Sequence, residues 1–220
     1  MTDLYTQHSA PTEISVVVPV YHAESCLSEL LQRLHSVLQG ITADYEILLV
    51  DDGSADQSWP KICDATSDNS RVRGLRLSRN FGQHYAISAG LDVATGNWIV
   101  VMDCDLQDPP ETIPKLYDKA KQGHPVVFAR SKSGEKRWQE RVTSRLFYKS
   151  LGLISKIEIK EGLSNFSIAS RQVVDVLRDM RERLRFYGGM LFWAGFPYAV
   201  VDYDRAPRHS GTSSYTFWRR

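Results

Sequence analysis

An α/β fold with a mostly parallel central sheet flanked by helices is predicted by three features of this 220-residue chain. Its first 130 or so residues alternate short apolar runs with stretches of helical periodicity. The runs are continuous rather than two-periodic, as expected of strands covered on both faces. Acidic residues gather at the carboxyl ends of those runs, where ligands bind in open α/β sheets.

The elements follow in order. Ile14–Val20 is an apolar run bounded by turn residues and reads as a buried strand. Leu27, Leu30, Leu31, Leu34, Val37 and Leu38 recur at three and four residues, which gives a helix with one apolar stripe. Tyr45–Val50 is a second strand running into Asp51-Asp52-Gly53-Ser54, and Ser54 with Gln57 has the spacing of a capping box. Val72–Leu77 is a strand, Gly82–Ala94 a helix and Trp98–Met102 a fourth strand. Asp108-Pro109-Pro110-Glu111 has the spacing of a second capping box, with prolines in the first turn of a helix that runs to about Lys121. Val126–Ala129 is the next strand.

After Arg130 the pattern changes. Ser131–Ser155 is basic, with Val142, Leu146, Leu151 and Ile154 spaced as in an amphipathic helical stretch. Asn165–Ala169 reads as a short strand, Val173, Val174, Leu177 and Met180 as one side of a helix, and Tyr198–Tyr203 as a last strand. The uncharged run Phe186–Val201 is broken by Gly188, Gly189, Gly195 and Pro197. It falls short of the roughly 18–20 apolar residues that cross a bilayer and reads as a core helix turning into a strand. The expected organisation is a loosely packed segment 1–13, one domain over 14–204 with halves 14–129 and 130–204, and a basic segment 205–220. A chain of this length can bury a full core in that way.

The formal charge of +1 hides an asymmetry. Residues 1–129 hold 9 basic and 17 acidic side chains, a net −8, and residues 130–220 hold 18 basic and 9 acidic, a net +9. A cation site suits the first part and an anionic partner the second. No nucleic-acid recognition motif is present, so a phosphate-bearing lipid or an anionic membrane surface is the expected partner. Cys26, Cys63 and Cys104 fit no metal spacing and are odd in number, which points to free thiols in a reducing compartment. Met1–Thr12 lacks the apolar core of a signal peptide.

The most informative stretch is Val100-Val101-Met102-Asp103-Cys104-Asp105-Leu106-Gln107. A strand delivers two carboxylates one residue apart, and because successive side chains on a strand point opposite ways, Asp103 and Asp105 share a face that Cys104 leaves. Such a pair can hold a hard divalent cation against a diphosphate. Asp-x-Asp alone also occurs in solvated turns.

Three motifs in one order carry a resemblance: Val18-Pro19-Val20-Tyr21 with Glu24, Val50-Asp51-Asp52-Gly53-Ser54 with Asp56, and Asp103 through Glu111. Together they resemble family-two glycosyltransferases of the GT-A fold. Leu77-Ser78-Arg79-Asn80-Phe81-Gly82, Gln107, Arg130 and the run Arg208–Tyr215 are similar to the dolichyl-phosphate mannose synthase and polyprenyl-phosphate glycosyltransferase branch. The resemblance spans about residues 14–216.

It implies that Pro19, Tyr21, Glu24, Asp51, Asp52 and Gly82 hold the nucleotide of a nucleoside-diphosphate sugar. Asp103, Asp105 and Gln107 would hold Mg2+ or Mn2+ on its diphosphate, over which Arg208 closes. Arg130, Lys132 and Arg141 would hold the acceptor phosphate. Many members of the branch carry Gly-Asp-Phe where this chain has Ser164-Asn165-Phe166. Asn165 cannot accept a proton, which is compatible with a lipid phosphate already ionised near neutral pH, while Glu161 or another acidic residue could still supply the base that a hydroxyl acceptor needs. The expected activity is metal-dependent, inverting sugar transfer to a polyprenyl phosphate at the cytoplasmic face of the membrane, with an oligomer possible. Transfer to a hydroxyl of a lipid-linked saccharide or protein side chain, and nucleotide-sugar binding without turnover, are the rival readings. The last residues, Phe217-Trp218-Arg219-Arg220, are the kind of flank found before a membrane segment.

Overall fold

A computed structural model of the chain describes residues 12–132, 163–180 and 186–206. Seven strands form one sheet: β1 (Ile14–Val20), β2 (Tyr45–Asp51), β3 (Val72–Arg76), β4 (Trp98–Val101), β5 (Val126–Ser131), β6 (Leu163–Ser170) and β7 (Tyr198–Tyr203). Their order across the sheet is β3-β2-β1-β4-β6-β5-β7, and β6 alone runs antiparallel to its neighbours.

Strand alternation divides the apolar residues between two helical layers. Val16, Val18, Val20, Ile47, Leu49 and Val100 face α1 (Leu27–Gln39), α2 (Ser58–Asp68) and α4 (Ile113–Lys121). Val17, Leu48, Val50, Ile99, Val101 and Phe128 face α3 (Gln83–Val93), α5 (Arg171–Asp179) and α6 (Tyr187–Trp193). Burial on both faces explains why the central strands read as unbroken apolar runs. In α1 the expected stripe is the one that packs: Leu27, Leu30, Leu34 and Leu38 are buried. The run from Phe186 does become a helix followed by a strand.

Two expectations fail for one reason, the pull of residues distant in sequence. Neither capping box forms. The helix after Ser54 begins only at Ser58, and the Ser54 hydroxyl instead accepts the His22 amide at 3.1 Å. Asp108 caps nothing, because a short 3-10 turn at Pro110–Thr112 precedes α4 and the Asp108 carboxyl is buried against Tyr203. Glu111 turns outward to Arg33, which donates to it from Nε at 2.9 Å and Nη2 at 2.6 Å. The stretch 133–162, with its expected amphipathic helix, lies outside the described residues.

The sheet opens between β1 and β4. Their ladder ends at Val17 opposite Val101, with Met102 N–H donating to Val17 O at 3.2 Å, while β1 stays paired with β2 as far as Val20. Pro19, which has no N–H, lies just beyond the last β4 bond, so its missing donor breaks no ladder there. Chain connections depart in opposite directions on the two sides of this gap, which makes it the topological switch point where open α/β sheets bind ligands.

Candidate active site

The loops that follow β1 and β2 are knitted together at this switch point. Beyond the His22–Ser54 bond, Ala23 N–H donates to Ser58 Oγ at 2.9 Å, Glu24 N–H to Asp56 Oδ2 at 3.3 Å, and Gln57 N–H to Glu24 Oε2 at 2.8 Å. Glu24, expected at the nucleotide, thus also braces this pair of loops. His22 takes φ 52°, a strained value for a residue with a side chain. Tyr21 beside it is 38% exposed and free to meet a planar ligand.

Asp51 and Asp52 hold the next layer. Asp51 Oδ1 accepts the Ser54 N–H at 3.2 Å, and Oδ2 lies 3.2 Å from Arg76 Nε as an ion pair without a directed hydrogen bond. Asp52 accepts Phe81 N–H at 2.8 Å on one oxygen and Gly82 N–H at 2.9 Å on the other. Burial, aided by the Asp51 charge, raises the Asp52 pKa despite these two amides. Gly53 sits at φ +71°, and a Cβ there would come within 2.6 Å of the Arg79 backbone. This glycine therefore lets the Asp51–Ser54 turn and the Leu77–Gly82 loop touch. Gly82 has φ +102° with open space above it, at the entry to α3.

The carboxylate pair departs from the expected geometry. β4 stops at Val101, so Asp103 and Asp105 stand on an irregular turn and strand alternation does not set their directions. The turn organises itself otherwise: Asp105 Oδ1 accepts the Gln107 N–H at 3.1 Å, and Leu106 is buried at φ 60°. Cys104 packs against the core, and its free thiol is in hydrogen-bond contact with the free thiol of Cys26 and with the Tyr21 amide. Asp103 lies deep in the recess yet keeps part of its surface open, and it accepts a hydrogen bond from Gln83 Nε2 at the start of α3.

Burial, reinforced by the charges of Asp108 and Asp105, pushes the Asp103 pKa up to about 7. Arg205 is the cation that opposes this rise. A recess of mutually repelling carboxylates with oxygen donors is chemically suited to Mg2+ or Mn2+. Among the described residues, no three His, Cys, Asp or Glu side chains are gathered around a single point. Two carboxylates and the Gln107 amide would leave the rest of a cation's shell to substrate phosphates and water, as Mg2+ ordinarily prefers.

On the other side of the sheet, Arg130 lies at the carboxyl end of β5, beside an irregularity in the β5–β6 register. Its guanidinium is bound in fork fashion by Asp202 of β7, Nε to Oδ1 at 2.6 Å and Nη2 to Oδ2 at 3.1 Å. Each raises the charged state of the other, and the Lys132 charge adds to the depression of the Asp202 pKa. Asn165 lies near the amino end of β6 and, because β6 is antiparallel, reaches the same edge as the carboxyl ends of the other strands. Arg141 and Arg208 lie outside the described residues. Sequence reading missed Gln83, Asp202, Tyr203 and Arg205, and mistook Asp108 for a cap. Their partners are 20 to 97 positions away, and no local spacing announces them.

Residues 15–178 match Glycosyl transferase family 2. The chain belongs to this family. The family member of Synechocystis sp. (strain ATCC 27184 / PCC 6803 / Kazusa), an uncharacterised glycosyltransferase, is 39% identical over 209 residues, covering 94% of this chain and 65% of its own. The undecaprenyl-phosphate 4-deoxy-4-formamido-L-arabinose transferase of Enterobacter sp. (strain 638) is 34% identical over 215 residues, covering 97% of this chain and 66% of its own. The chain thus spans about two thirds of the length of these relatives. Among solved structures, glucosyl-3-phosphoglycerate synthase from Mycobacterium tuberculosis, in complex with Mn2+, UDP and phosphoglyceric acid, superposes with a TM-score of 0.62 at 20% identity. That match covers 91% of this chain and 72% of the synthase, and it establishes the expected GT-A fold.

Proposed function

We propose that this family-two protein is a metal-dependent inverting glycosyltransferase that moves a sugar from a nucleoside diphosphate to a polyprenyl phosphate at the cytoplasmic membrane face. The observation that carries the reading is the pairing of Asp103 with Asp105, whose charges repel one another, on the turn that follows β4 at the β1–β4 switch point. Relatives named as undecaprenyl-phosphate sugar transferases support the acceptor class.

In this reading the acceptor phosphate oxygen attacks the anomeric carbon in line with the bond to the diphosphate. A carbon–oxygen bond forms as another breaks, the nucleoside diphosphate leaves, and the configuration inverts. The attacking oxygen already carries its charge, so no proton needs to be removed and Asn165 need only donate a hydrogen bond. Tyr21, Glu24, Asp51 and Asp52 orient the nucleotide; Arg130 and Lys132, with Arg141, orient the acceptor phosphate. Asp103, Asp105 and Gln107 would hold a divalent ion, which would supply charge neutralisation for the departing diphosphate. Residues 14–129 then form the donor half and 130–204 the acceptor half, with 205–220 closing over the donor. Among the described residues no helix is long and apolar enough to cross a membrane. Membrane contact would therefore come from a lipid acceptor, a surface or segments outside those residues.

The deciding experiment follows label from a panel of nucleoside-diphosphate sugars into undecaprenyl phosphate with Mn2+. Metal-dependent incorporation lost in Asp105→Asn supports the reading. Incorporation only into hydroxyl acceptors would replace the acceptor class, and donor binding without transfer or hydrolysis would reject enzymatic activity.

A further inference from the structure

Asp108 is 1% exposed, and no neighbour in its own loop compensates its charge. Its partners come from the end of β7. The Tyr203 hydroxyl donates to Asp108 Oδ1, and Arg205 Nε stands 3.7 Å from the same oxygen. One residue further on, Ala206 N–H donates to Gln107 O at 3.0 Å. Tyr203 is itself buried and set edge-on to Phe166 of β6, with ring centroids 5.7 Å apart. Three contacts therefore fasten the chain leaving β7 to the turn that carries Asp103, Asp105 and Gln107.

That turn needs external support. It has no regular structure between Met102 and Pro109, and Leu106 holds a left-handed conformation that a branched side chain adopts only when its surroundings impose it. A buried carboxylate without compensation is costly, so the tyrosine hydroxyl and the guanidinium fix where Asp108, and with it the turn, can sit. Among the described residues the remaining oxygen, Oδ2, is buried without a hydrogen-bond partner, so their hold on Asp108 runs through Oδ1.

We propose that Asp108, Tyr203 and Arg205 form a latch that positions the Asp103–Gln107 turn for its cation, making all three positioning residues of the transfer reaction. The inference rests on the reading of Asp103 and Asp105 as metal ligands, but the latch can be observed without metal. It also ties the metal turn to the acceptor side, since the residue before Tyr203 is Asp202, which grips Arg130, and the Tyr203 carbonyl accepts the Lys132 N–H at 2.9 Å.

Tyr203→Phe removes one oxygen and Arg205→Gln removes the charge while keeping much of the side chain; Arg205→Lys serves as the partial rescue. Hydrogen exchange of the metal-free variants is expected to quicken at residues 103–107 and stay unchanged in β1 and β2. Mn2+ titration followed by its electron paramagnetic signal, with and without UDP, should show a dissociation constant raised about tenfold, the effect usual for partners that orient metal ligands. Arg205→Lys should recover part of that loss. Unchanged exchange at 103–107 together with wild-type Mn2+ affinity would overturn the latch, even if transfer fell. If Asp105→Asn binds Mn2+ as well as the wild type, the metal reading fails by itself. The exchange data then still decide whether the latch holds the turn.

Discussion

Around β1 and β2 the loops facing the crevice are cross-tied by four bonds between backbone amides and side chains, and Asp52 clamps the Phe81–Gly82 backbone with both oxygens. At the β5–β7 edge the corresponding level is spanned by an exposed ion pair, Arg130 with Asp202. The first arrangement is already in place without a ligand, so under the proposed function its donors and acceptors would need no reorganisation on nucleotide binding. The second is easily exchanged, because solvated ion pairs contribute little and an arriving anion can take the place of Asp202. Under the proposed function, a rigid donor side would hold one nucleotide geometry at each turnover, while an adaptable acceptor side would let the acceptor anion displace an ion-pair partner.

The comparison can be broken most decisively at the metal turn. Asp105→Asn should keep the fold and lower transfer at saturating donor by about 100-fold or more, since metal stabilisation of a leaving group is worth several kcal/mol. Near-normal turnover would remove the turn from the donor machinery.

The next largest effect concerns pH. Asp103 titrates near 7 in the folded, metal-free protein, against 3.8 for an ordinary aspartate. Between those values the folded protein keeps a proton that the unfolded chain has released, so this group lowers stability progressively as pH rises and its cost is constant above 7. Asp103→Asn should therefore gain stability over the wild type at pH 8 but not at pH 3, as read by chemical denaturation in a chelator. A difference independent of pH would show that Asp103 is not held in the protonated form.

Rigidity of the donor side is tested by two glycines. Gly53→Ala combines a left-handed φ with a backbone collision and should cost about 2–3 kcal/mol in denaturant unfolding. Gly82→Ala meets open space, so its loss should come from the positive-φ backbone alone, about 1–2 kcal/mol and below that at Gly53. Equal losses would mean that the Gly53 contact does not organise the site. The smallest effects are expected on the adaptable side. Arg130→Ala should raise the acceptor KM about tenfold while nucleotide affinity stays unchanged, and Asp202→Asn, by freeing the guanidinium, should lower that KM roughly threefold. A rise in acceptor KM for Asp202→Asn would show that Asp202 orients Arg130 and does not compete for it.

What the sequence revealed divides along the same line. Runs such as Ile14–Val20 and Tyr45–Val50, and the α1 stripe, were legible because burial on two faces or one leaves a local periodic mark. The order of motifs likewise marked Asp51, Asp52, Asp103 and Asp105. The direction of β6 was not legible, since an apolar strand reads alike in either sense. The capping boxes were misread because Ser54, Asp108 and Glu111 found stronger partners in His22, Tyr203 and Arg33, far along the chain. Alternation across Asp103–Asp105 failed because β4 loses its partner two residues earlier.

The reversed strand has one further consequence. β5 ends and β6 begins at the same edge, Arg130 lying opposite Leu163, so the connection between them leaves the sheet and rejoins it beside the crevice. Lengthening such an excursion is thermodynamically cheap, about 0.6 kcal/mol for each doubling. A scaffold of this kind could therefore carry a longer or shorter connection between β5 and β6 while every strand kept its register.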